Sequence, residues 1–172
     1  NSAASPSFVS NTSIVSDNMT VYAVFVVKEG AVSYNLVESA LTDWRGDYLI
    51  AYDDETFADG RTGGTSGIGE QNSSVDPSTN LIGKVVDGTW GDTYNVTIEA
   101  INDAKLSDGY LLKTKDGTYN YRTANTNGID GTKTRATAAN YPISIIYNSA
   151  SSIDLKSSSN AVFHYNASGY FR

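Results

Sequence analysis

The 172-residue chain contains no cysteine, which excludes disulfides and thiolate metal sites. It has a single histidine, His164, so a tetrahedral zinc site built from nitrogen and sulfur ligands is excluded as well. The same scarcity removes most hydrolytic machinery. A Ser-His-Asp triad would depend on that one imidazole, and no Gly-x-Ser-x-Gly elbow exists to present a serine. His164 lies in an alternating apolar stretch and reads as a strand histidine at a rim. No apolar run approaches the ~18 residues of a membrane-crossing helix, so membrane insertion is not expected. The net charge is −7, and the 12 Lys and Arg residues form no cluster. That balance counts against a phosphate backbone, and therefore against a nucleic-acid partner.

What is present points to strands and turns. Twelve Tyr, fifteen Gly and many Ser, Thr and Asn, with little that reads as long helix, describe an all-β protein. The clearest unit is DGYLLKTKDGTYNYRT, Asp108 to Thr123: alternating residues, a Lys-Asp-Gly break, then Tyr119 and Tyr121 on one face. Asp-Gly between such runs predicts a β-hairpin with a type I′ turn, whose two central residues both need positive φ. GDYLIAYDDETFADG and SSIDLKSSSNAVFHYN share its plan, with Tyr48, Tyr110 and Ile153 in matching places. Three such units predict a β-trefoil-like barrel, with a two-sheet β-sandwich as the alternative.

Other segments are less regular. MTVYAVFVVKEG, Met19 to Gly30, is a strand apolar on both faces and so must be covered on both. A short loop is expected around Leu41 to Arg45, and turns at Asp87-Gly88. The Gly/Ser/Thr-rich stretch Gly60 to Asn80 is longer than compact domains usually leave unstructured, so it is a functional loop or conceals a short element. Further strands are expected in Thr93 to Ile101, Asn140 to Asn148 and Ser151 to Arg172.

Two resemblances add to this reading. Asn11 to Val27 carries Asn-x-Thr-x-Tyr-Ala-x-Phe at Asn18 to Phe25 and resembles the closing strand of the Listeria–Bacteroides repeats of bacterial surface proteins. Residues 1–30 would then be the tail of an upstream repeat or a linker strand, or a strand absorbed into the following all-β module at 31–172. From Tyr34 onward the chain resembles an accessory β-module of large secreted and surface proteins of gut Bacteroidetes and Firmicutes. The resemblance is carried by Tyr34 to Val37, Gly46 to Tyr52, Gly109 to Tyr119, Ile143-Ser144 and Val162 to Arg172, the last of which ends earlier than the family pattern. It implies a non-catalytic accessory role, an extracellular or cell-surface location and neighbouring domains in a longer chain. A monomer is expected.

DDETFADG holds Asp53, Asp54, Glu55 and Asp59, hard oxygen donors that are candidate Ca²⁺ ligands outside EF-hand spacing, although solvated loop acids are the simpler reading. Two carboxylates suffice for glycoside hydrolysis, but no acid pair is set apart here and no enzyme is expected. Sugar rings pack their C–H faces on Tyr and Trp while polar side chains take the hydroxyls. Trp90, Tyr119, Tyr121, Arg122, Asn125 and Asn127 are the candidate ligand contacts on that ground, set against ordinary cross-strand packing for the same tyrosines. Trp44 also lies beside a loop. The expected function is a carbohydrate-binding or adhesion module that recognises a glycan or host surface glycoprotein, with a ligand-free spacer or stalk domain as the alternative. Asn-x-Ser/Thr sequons at Asn11, Asn18, Asn72, Asn95 and Asn166 arise readily by chance in such a composition.

Overall fold

The structure is a computed structural model that describes residues 24–29, 33–51, 56–64, 67–72, 85–124, 128–149, 152–166 and 169–172. In chain order the elements are β1 (Val24–Glu29), β2 (Ser33–Leu36), β3 (Gly46–Ala51), β4 (Thr56–Ala58), β5 (Ile68–Asn72), β6 (Val85–Asp87), α1 (Gly88–Tyr94) and β7 (Val96–Ala100). There follow β8 (Tyr110–Lys113), β9 (Tyr119–Tyr121), β10 (Asp130–Thr132), α2 (Arg135–Ala138), β11 (Ile143–Ser149), β12 (Ser152–Ser157), β13 (Tyr165–Asn166) and β14 (Tyr170–Phe171). The protein is all-β, and the strands pair antiparallel along the path β10-β9-β8-β7-β3-β4-β5-β14-β13. β1 lies between β2 and β3, β6 joins β2, and β11 joins β8 to β12. These ladders do not close: among the described residues β10 and β6 each pair on one side only.

Alternation decides which face each strand buries. In β7, Val96, Ile98 and Ala100 turn inward while Thr97 and Glu99 do not, so one face joins the core and the other carries a carboxylate. β3 is covered on both faces: Tyr48 and Ile50 enter the large core, Leu49 and Ala51 a smaller cluster with Tyr34 and Phe57. The three residues matched by their sequence plan, Tyr48, Tyr110 and Ile153, are all buried in the same large core. Burial pushes the Tyr48 hydroxyl up to about 12, with Asp43 and Tyr110 adding to the effect. Trp44 lies in this core, 6.3 Å from Tyr48.

Several local expectations change. The turn between β8 and β9 is not type I′, because only Gly117 has positive φ (82°) and Asp116 does not. Thr114 N donates to Thr118 O and Gly117 N to Thr114 O, the arrangement of a three-residue hairpin loop closed by a left-handed glycine. The Gly60 to Asn80 stretch conceals β5, which pairs with β4 and β14. Asp87-Gly88 does not turn between strands but leads into α1, and α2 is a second helix that no period signalled. Val24–Glu29 is hydrogen-bonded on both sides, to β2 and to β3.

Tyr34 ties β2 to α1. Its hydroxyl donates to Asp92 Oδ1 at 2.8 Å and accepts from Asn95 Nδ2, and burial holds its pKa well above that of a free tyrosine. Replacing Tyr34 with Phe keeps the ring but leaves buried Asn95 without this acceptor. A loss of about 1–2 kcal/mol is expected, read as a lower urea midpoint at unchanged slope.

Candidate functional site

β9 repeats the alternation of the chain, yet its two tyrosines end up in different environments. Tyr119 is buried with Leu111 and Ala138 beneath α2. Its hydroxyl donates to Glu99 Oε2 at 3.1 Å, and the Lys113 ammonium sits 5.4 Å from its ring centroid. Glu99 also accepts from Lys113 at 2.9 Å and from Arg135 Nε at 3.4 Å. Burial works against ionisation of Glu99, but these bonds outweigh it and hold the carboxyl below its ordinary pKa. Arg135 further donates to the carbonyls of Ala100 and Ile101, pinning α2 to the end of β7. Tyr119 is therefore packing, within a network whose groups are engaged with one another.

Tyr121, two residues on, is half-buried and stacks on Tyr141, with ring centroids 5.1 Å apart and planes 14° from parallel. Offset stacking of this kind aligns two apolar faces and is worth about 0.5–1.5 kcal/mol beyond area burial. Tyr141 follows α2 and is held by its main-chain N–H donating to Ala138 O. Asp130 of β10 is directly opposite Tyr121 and accepts from Thr123 N and Oγ1. The outcome is a flat aromatic pair beside a carboxylate and a hydroxyl. Arg122 is half-buried, with Nη2 donating to Ala124 O at 2.9 Å.

The other expected site residues fall elsewhere. Trp90 is in α1, and its side chain lies outside what is described. Asn125, Asn127, Asp53, Asp54 and Glu55 lie outside the described residues. Asp59 is engaged by Arg61, whose Nη2 and Nε donate to it at 2.6 and 2.8 Å, so its oxygens are already committed. Among the described residues no group of three His, Cys, Asp or Glu side chains converges as metal ligands would. His164 is exposed, with Nδ1 3.1 Å from Val162 O.

A concavity lined by residues including Leu112, Asn120, Tyr121, Ile129 and Phe163 has a cavity volume of ≈ 20 Å³. That is space for about one water. A ligand here would lie on a surface rather than enter a pocket. Tyr141 and Asp130 escaped sequence reasoning, since 20 residues and a helix separate Tyr141 from Tyr121 and no local pattern joins them. No protein-family model matches the chain, and neither a curated protein nor a solved structure does.

Proposed function

We propose that this chain is a non-catalytic carbohydrate-binding or adhesion module of an extracellular or surface-bound bacterial protein, and that it takes a glycan on the Tyr121–Tyr141 platform. The observation that carries this reading is the stacked, half-exposed pair of rings with Asp130 and Thr123 beside it. Such a platform combines an apolar face for sugar C–H groups with acceptors for hydroxyls. The resemblance to accessory modules of large secreted proteins of gut bacteria supports the same placement.

A second reading has its own support. Tyr34, Trp44, Tyr48, Phe57, Tyr110, Tyr119 and Phe171 are buried, so these aromatic rings build cores, as in a spacer domain that displays its neighbours. The two readings separate on one experiment. The purified chain is applied to an array of mucin, host and plant glycans, with and without calcium. For the binding module, reproducible glycan binding is expected, and Tyr141→Ala weakens it about tenfold or more, as loss of a central aromatic contact does at interfaces. Tyr141→Phe, which keeps the stack, binds as the parent chain does. A blank array from folded protein favours the spacer. Loss of binding on chelation would bring the Asp53 to Asp59 stretch back as a calcium site.

We further propose that the strands build a β-trefoil-like barrel. Three hairpins follow the matched residues: β3–β4, β8–β9, and β12 with the segment after it. In the third, Lys156 bridges Val162, Ser157 N donates to Ala161 O, and Phe163 N donates to Leu155 O. The chain then runs on into β13, whose partner β14 pairs with β5. This continuity between β12 and β14 supports a trefoil-like, barrel-shaped enclosure of the large core over two separate sheets.

A further inference from the structure

The charge around the platform is unevenly distributed. Asp130 and Tyr121 are direct cross-strand partners, so their side chains share a face with Cβ atoms about 5 Å apart. Both hydrogen bonds that Asp130 accepts, from Thr123 N and from Thr123 Oγ1, land on Oδ2. Its Oδ1 accepts none among the described residues and is an acceptor beside the rings. Each cation of the surrounding elements makes at least one bond within the protein, Arg135 and Lys113 by sharing the single carboxylate of Glu99. Arg135 is held by Glu99 and two carbonyls, Lys113 by Glu99, Lys133 by Asp116, and Arg122 donates to Ala124 O.

A carboxylate accepts from sugar hydroxyls and offers no proton in return at neutral pH. A second carboxylate carried by the ligand would face it at short range, and a chain of net charge −7 adds to the repulsion. We infer that the Tyr121–Tyr141 platform selects neutral pyranosides and rejects sugars bearing a carboxylate, with Asp130 as the residue that sets the preference. This rests on the carbohydrate reading given above.

The test compares neutral oligosaccharides (gluco-, manno- and galacto-series) with uronic and sialic acid oligosaccharides by titration calorimetry, at low salt and at physiological salt. The neutral series is expected to bind at least about tenfold more tightly than the acidic one, with the gap narrowing as salt screens the repulsion. Asp130→Asn keeps an amide oxygen for Thr123 and so preserves the turn. It is expected to bring the acidic ligands to within about threefold of the neutral ones. Preference for the acidic series, or discrimination unchanged in Asp130→Asn, overturns this inference alone. Absence of binding to both classes overturns the carbohydrate reading and this inference with it.

Discussion

Gly60→Ala is expected to cost the protein about 3 kcal/mol or more, because the added carbon has nowhere to go. Gly60 is buried where the chain leaving β4 passes the α1–β7 junction. Its N–H donates to Tyr94 O at 2.9 Å, and its own carbonyl accepts from Lys115 N at 2.8 Å. A Cβ would lie 2.1 Å from Asn95 O and 2.4 Å from Tyr94 O. Those are backbone atoms, which cannot swing aside as the end of a side chain can. Relief therefore means pulling the 60–64 segment off the junction and breaking at least one of those bonds. Gly64 supplies the control in the same loop, since a Cβ there meets nothing within 4 Å. Gly64→Ala should be neutral, or stabilising by up to about 1 kcal/mol through a less free unfolded chain. Urea unfolding of the two variants measures the difference, and equal midpoints would defeat the steric account.

The same contrast between local pattern and tertiary contact explains what the sequence made legible. Strand alternation was readable in β3, β7 and β8 because each has a face whose apolar residues go inward, and Tyr48, Tyr110 and Ile153 meet in one core as their shared plan implies. α1 was not readable. Gly88, Thr89 and Gly91 are poor helix formers, and Gly91 is tolerated because it makes room for Tyr34: a Cβ there would sit 2.3 Å from that ring. Tyr119 and Tyr121 were indistinguishable by pattern, since both occupy the same face of β9. What separates them is depth beneath α2, four residues long: Tyr119 is buried with Leu111 and Ala138, while Tyr121 packs at the edge of that cluster and stacks on Tyr141. A helix that short has no hydrophobic period to detect. In the acidic stretch ending in Asp59, no pattern marked the pairing of that carboxylate with Arg61, two residues on.

Asp116→Ala is expected to destabilise by about 2–3 kcal/mol at neutral pH, with an effect that shrinks in acid. This carboxylate organises the β8–β9 hairpin loop from within. It accepts from Thr114 Oγ1 at 2.7 Å, from Thr118 N and Oγ1 at 3.0 Å each, and pairs with Lys133 at 2.9 Å. Lys133 also donates to the Asp116 carbonyl, so β10 is fastened to the turn twice. Asp116 N in turn donates to Arg61 O, and Gly63 N approaches Oδ1 at 3.5 Å, which brings in the 60–64 segment. Thr114 and Thr118 are buried, so removing the acceptor leaves the Thr118 donors without water to replace it. The side chain of Asp116 is 31 % exposed, which keeps the expected loss below what four fully buried charged bonds would give. Partial burial alone would raise the pKa of this carboxyl, but Lys133, Thr114 and Thr118 outweigh it and hold the group far below its ordinary value. A carboxyl whose folded pKa is depressed stabilises the fold above its unfolded pKa, about 3.9, and loses that contribution as pH falls toward the folded value. The gap between the parent chain and Asp116→Ala should therefore be constant from pH 7 to about 5 and smaller by about 1 kcal/mol at pH 3. Urea midpoints at the two ends of that range decide it: a gap as wide at pH 3 as at pH 7 would mean that the shape of the loop, rather than the charge of Asp116, holds the three segments together.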